Sequence, residues 1–182
     1  YSASMLSFML KGLNKPVIFT GAQLPISAMR SDARENLMTS LEIAISKANG
    51  KPIVPEVCIF FNHMLLRGNR AKKVQSVHFD AFESENYPPL AESGIIIDYN
   101  YASIRPYEEG KKLRYLNKLD NSVMVLKLFP GITVQVIEHC LNMKGLKGVV
   151  LETYGSGNSP SESWFIKAME AAVDRGILIL NV

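Results

Sequence analysis

Apolar residues along this chain come in two rhythms. Near-continuous apolar runs, PVIFTG, EVCIFF, GIIIDY, SVMVLKLF, KGVVLETYG and ILILNV, have strand length. PVIFTG reads as a central parallel strand covered on both faces. Other segments carry apolar residues at helical spacing. SASMLSFMLKGLNKP predicts an amphipathic helix with Gly12 near its C-terminus and Pro16 beyond it. ARENLMTSLEIAISKA predicts a second, with Asp32 as N-cap, Glu35 as capping-box partner, and Leu37, Leu41, Ala44 and Ile45 on one apolar face. TVQVIEHCLN and SPSESWFIKAMEAAVDRG predict two more. Ser159 or Ser161 is placed to cap the last, and Gly176 ends it. LLRGNRAKK predicts a hairpin turning at Gly68-Asn69.

Strands alternating with helices imply an α/β fold of mostly parallel sheets flanked by helices. Residues 99–120 change character and become polar, tyrosine-rich and weakly periodic. The pattern therefore predicts a larger N-terminal unit over residues 1–100, an interdomain connection over 101–120, and the start of a smaller C-terminal α/β domain over 121–182. The chain opens at Tyr1 directly in a helical pattern and stops at Val182 within an apolar strand. Such a strand needs neighbours for its backbone, so the chain reads as an interior piece of a longer protein.

Composition narrows the class. Of 182 residues, 47% are hydrophobic and 20% charged, which fits a globular protein and not a disordered one. A net charge of +3 is too small to signal nucleic acid, whose binders concentrate basic charge on one face. No apolar run approaches the roughly 18 residues that span a bilayer, and no signal peptide is recognisable. Cys58 and Cys140 lie far apart in apolar segments. They suit buried thiols in a reducing compartment better than a disulfide framework or a zinc site.

In open α/β sheets, ligands bind beyond the carboxyl ends of the strands. Two loops there are rich in small residues: TGAQLP at 20–25 and YGSGNSPSE at 154–162. The second is no dinucleotide fingerprint, because Pro160 occupies the third glycine position, and no Walker loop either. From spacing alone, a tight turn plus helix cap explains it better than a ligand loop. His63, His78 and His139 lack metal-ligand spacing, and no serine-hydrolase elbow is present. The stretch RGNRAKKVQSVHFDAF carries Lys72 and Lys73 after its turn. It suits a basic patch, a solvated tip, or a reactive lysine, which works only when neighbours or burial lower its pKa.

Longer runs add to this reading. KPVIFTGAQLPISAMRSDARENL, IFFNHMLLRGNRAKKVQSVHFDAFESENYPPLAESGI, FPGI and LETYGSGNSP occur in order, and together they resemble type I, cytoplasmic-type bacterial L-asparaginases. The resemblance implies hydrolysis of L-asparagine to L-aspartate and ammonia, with no metal or cofactor, by a threonine nucleophile assisted by a Thr-Lys-Asp set. It places Lys73 at the catalytic lysine and Lys72 at its solvated neighbour. It places Ala22 where a backbone carbonyl faces the substrate's side-chain amide, and Asn158 where an asparagine reaches a neighbouring subunit's site. It implies a cytoplasmic homodimer or homotetramer, with no nucleic-acid or membrane partner.

The chain also departs from that pattern. The T-G-G-T-I loop and the H-G-T-D-T-M-A run are absent, and the match covers roughly the middle half of such a protein. These residues alone are therefore expected to be inactive. At two positions associated with activation by asparagine, Lys72 stands for a threonine and Glu152 for an arginine. A glutamate repels a ligand carboxylate that an arginine would hold. Two alternatives remain open: the asparaginase-like subunit of a tRNA-dependent amidotransferase, and a non-catalytic α/β binding protein of the same fold.

Overall fold

The computed structural model describes residues 1–75 and 78–182. The chain divides into two compact units, Tyr1–Asn117 and Lys118–Val182.

In the first unit, α1 (Ser2–Met9) runs straight into β1 (Leu10–Lys11), followed by β2 (Val17–Phe19) and α2 (Ala33–Ile45). A short ribbon of β3 (Lys47–Ala48) and β4 (Lys51–Pro52) leads to β5 (Val57–Phe61) and β6 (Met64–Arg67). Next come β7 (Lys72–Lys73) paired with β8 (Phe82–Glu83), then β9 (Ala91–Ser93), β10 (Ile97–Tyr99) and β11 (Arg114–Tyr115).

The main sheet has the order β10-β9-β6-β5-β2. Only β2 and β5 pair in parallel, and the other neighbours are antiparallel. This unit is α/β as expected, but its sheet is mixed rather than mostly parallel. The cause is local. Asn62 and His63 take φ of 45° and 67° between the paired residues Phe61 and Met64. Two left-handed residues make the tight turn that joins antiparallel strands.

β5 is buried throughout. Val57, Ile59 and Phe61 pack with Ala3 of α1 on one face, while Cys58 and Phe60 pack with Ile43 of α2 on the other. A strand alternates its side chains with period two, so an unbroken apolar run supplies both cores. β2, expected to be central, lies at the sheet edge and is half-buried.

Other expectations change with the tertiary context. The first helix stops at Met9. Gly12 then takes φ 73°, and a Cβ there would sit 2.6 Å from the Lys112 carbonyl oxygen. The Gly68-Asn69 segment turns but makes no hairpin, since β6 pairs with β5 and β9 while β7 pairs with β8. Ile95 and Ile96 lie exposed in the turn before β10 instead of inside a strand. Residues 101–117 belong to the first unit: Ile104 is buried, and Arg114 and Tyr115 pair with Lys11 and Leu10.

The second unit is regular. β12 (Val123–Lys127), α3 (Val134–Leu141), β13 (Gly148–Glu152), α4 (Ser163–Asp174) and β14 (Leu178–Asn181) follow in order. Its three strands are parallel, with β13 in the middle. Ile137 and Leu141 of α3 and Phe165 and Ala172 of α4 pack on Val149 and Leu151 of β13. Thr133 caps α3 by accepting the Val136 N–H. Glu162, not Ser159 or Ser161, occupies the N-cap of α4. No helix among the described residues is long and apolar enough to cross a membrane.

Candidate active site

A cleft of about 300 Å³ opens at the carboxyl end of β2 in the first unit. Ile59 and Phe61 of β5 and Phe19 of β2 supply its apolar side. Phe61 stacks at a tilt on Phe82, ring centres 5.3 Å apart, and Phe82 pairs across the β7–β8 ribbon with Lys73. The ribbon thus carries Lys73 to the cleft. Thr20, Gly21, Ala22 and Gln23 also line it. Two residues singled out by sequence, Lys73 and Ala22, therefore line one concave surface.

The ribbon also separates the adjacent lysines. Successive side chains on a strand point to opposite faces. Lys72 leaves the cleft and lies 3.9 Å from Glu85, an exposed pair of little energetic weight.

The Thr20–Pro25 loop is held from several sides. Thr20 Oγ1 donates to the Phe60 carbonyl at 3.0 Å, and Gln23 Nε2 donates to the His78 carbonyl. The strongest hold comes from the start of α2. Asp32, expected to cap that helix with Glu35, makes no cap bond. Its carboxylate instead accepts the Gln23 N–H at 3.0 Å and the Leu24 N–H at 3.1 Å. Asn36, buried at 3% exposure, donates from Nδ2 to the Gly21 carbonyl at 2.9 Å and to Asp32 at 3.1 Å. Asp32 and Asn36 do not line the cleft but hold the loop that does, a role that sequence reasoning missed. Their i, i+4 spacing is visible in the sequence, but a polar pair on a helix signals exposure unless a loop packs over it.

Asn158 belongs to the second unit. It closes a tight loop in which Tyr154 N–H donates to the Asn158 carbonyl at 2.8 Å and Gly157 takes φ 88°. Its exposed side chain donates to Ser156 Oγ at 3.1 Å. Glu152, at the end of β13, lies 3.5 Å from Lys127. His63 faces Glu35 at 3.4 Å in the β5–β6 turn. Among the described residues no three of His, Cys, Asp or Glu are grouped to hold a metal ion.

Comparison with known proteins adds the family. Residues 1–105 match the family model described as "Asparaginase, N-terminal", and residues 122–182 match "Glutaminase/Asparaginase C-terminal domain". The chain is 44% identical to the 60 kDa lysophospholipase of Homo sapiens, covering 100% of this chain and 30% of that protein. It is 39% identical to L-asparaginase 1 of Escherichia coli (strain K12), covering 100% and 52%. It is 34% identical to a glutamyl-tRNA(Gln) amidotransferase subunit of Pyrococcus furiosus, covering 98% and 41%. The crystal structure of L-asparaginase I from Vibrio cholerae superposes with a TM-score of 0.84 at 37% identity, covering 100% of this chain and 53% of that one. The chain spans about half the length of the Escherichia coli and Vibrio cholerae asparaginases and 30% of the human lysophospholipase. With both family models matched in order along it, the chain belongs to the asparaginase family.

Proposed function

We propose that the protein to which these residues belong is an L-asparaginase. A threonine hydroxyl attacks the side-chain carbonyl carbon of L-asparagine, and the C–N bond breaks. Ammonia leaves with a proton, and water then hydrolyses the acyl-enzyme to L-aspartate. Lys73 helps to take the hydroxyl's proton as part of a Thr-Lys-Asp set, and the Ala22 carbonyl accepts from the substrate amide. The nucleophile and its Thr-Asp partner are not among these 182 residues, so this segment alone is inactive. The carrying observation is that Lys73 and Ala22, far apart in sequence, line the same cleft.

Asn158 contributes to the site of a second subunit, in a cytoplasmic homodimer or homotetramer. With Lys72 in place of a threonine and Glu152 in place of an arginine, the enzyme lacks the asparagine-activated switch or builds it from different residues. A sigmoidal rate curve with asparagine would overturn the absence of the switch. The amidotransferase-subunit reading is less favoured, because its relatives match at lower identity than the asparaginases.

The test is ammonia release from L-asparagine by the intact purified protein. Wild type should release ammonia, and Lys73→Met should lose at least about 100-fold in kcat. An inactive wild type, or a fully active Lys73→Met, would overturn the reading.

A further inference from the structure

Asp32 sits at the N-cap of α2 with φ −82° and ψ −5°, yet its carboxylate takes no backbone N–H of that helix. A carboxylate at this position ordinarily satisfies the helix's own first turn. Here Ser31 Oγ accepts the Ala33 N–H at 3.1 Å, which leaves the carboxylate for the loop. Both of its oxygens lie 3.0 Å from the Gln23 nitrogen. On the other side of Ala22, the Gly21 carbonyl is held by Asn36 at 2.9 Å. Ser31 Oγ also donates to the Leu24 carbonyl at 3.0 Å. The residues before and after Ala22 are thus fixed from one helical turn. Among the described residues, the N–H and C=O of Ala22 itself take no hydrogen bond.

We propose that Asp32 and Asn36 are positioning residues, a clamp that aims the Ala22 peptide at the amide nitrogen of the substrate; this rests on the asparaginase reading above. The physical need is specific. Gly21 removes the steric restraint that a side chain would place on this loop, so its direction must come from outside. An acceptor discriminates an amide from an ester only while it is held at hydrogen-bonding distance from the N–H. A displacement of about 1 Å is enough to lose on the order of 100-fold in rate. Asp32 and Asn36 secure each other, because Asn36 Nδ2 bridges Gly21 and Asp32. Loosening either should free both sides of Ala22.

The clamp makes a prediction that a purely structural role does not. L-asparagine has an amide N–H to give to Ala22, and the β-methyl ester of L-aspartate has none. In the intact protein, Asp32→Asn should lower kcat/KM for L-asparagine by about 10- to 100-fold, while kcat/KM for the ester stays within about threefold of wild type. Asn36→Ala leaves the Asp32 carboxylate in place and should show the same split, so the test survives if one variant fails to fold. Hydrogen exchange at the Gln23 and Leu24 amides should quicken in Asp32→Asn. Equal losses on both substrates, or no loss on asparagine, would overturn the clamp alone. A wild type inactive on asparagine would overturn the functional reading and the clamp with it.

Discussion

Arg67 holds Glu56 with two parallel hydrogen bonds, Nε to Oε2 at 2.6 Å and Nη2 to Oε1 at 3.1 Å. Glu56 is 3% exposed, and its Oε1 also accepts the Arg105 N–H at 2.9 Å. Arg67 Nη2 donates to the Ser103 carbonyl at 2.9 Å, and its guanidinium lies 4.3 Å from the Tyr87 ring centre. The pair ties the start of β5, the end of β6 and the 103–105 segment together, just before the turn that leads to Lys73.

A buried ion pair stabilises only while both partners are present. Arg67→Met should therefore lower the unfolding free energy by about 3 kcal/mol. Combined with Glu56→Gln, the loss should be smaller than the sum of the single losses, because the second change removes the charge stranded by the first. Urea denaturation of the four proteins measures this. Strict additivity would mean that the carboxylate does not depend on Arg67.

Gly68 is required by close approach and not by a left-handed backbone. A Cβ there would meet the Val57 carbonyl oxygen at 2.9 Å, Ser7 Oγ at 3.1 Å and the Ala3 carbonyl oxygen at 3.2 Å. Two of these atoms are backbone and cannot swing aside. Gly68→Ala should cost about 1–3 kcal/mol by overpacking, pushing β6 off α1. An unchanged urea midpoint would show that the helix yields freely.

Cys58 is fully buried. Burial first, and then the Glu56 carboxylate, push its thiol well above the usual range, with Arg67 pulling the other way. In the unfolded chain the thiol ionises near about pH 8.5, while the folded protein keeps its proton. The unfolded state then binds fewer protons, so this group's contribution is complete below about pH 8.5. It is lost as pH rises toward the folded value, by up to about 1.4 kcal/mol per pH unit. Cys58→Ala should therefore lose stability less steeply than wild type between about pH 8.5 and 10. Parallel slopes in urea titrations at several pH values would sink the idea. A thiol reagent should also leave Cys58 unmodified until the protein unfolds.

Much of the architecture is legible because it is written in local pattern. The run VCIFF reads as a strand, and it is one, buried at every residue. The second unit follows its alternating apolar rhythm element by element, because each parallel strand there is joined to the next through its own helix. The loop preceding α2 stands out through its small residues, and Lys73 through the motif around it. The Asn62-His63 turn escapes a sequence reading because it lacks the glycine that usually marks two left-handed residues in succession.

The sequence by itself determined the α/β class, the strand at VCIFF and the family resemblance, since these rest on side-chain period and on residues contiguous in the chain. Only the tertiary structure decided which face of α2 turns inward. Leu37, Leu41 and Ile45 were expected on a buried apolar face, yet each is about half exposed or more, while Asn36, Ser40 and Ile43 are buried. The reason is hydrogen bonding over distance. Ser40 Oγ donates to the Asn36 carbonyl at 2.7 Å, and Asn36 reaches the Gly21 carbonyl of a loop 15 residues away. A polar side chain that finds its partners can be buried at little cost, and those partners exist only once the loop has folded over the helix.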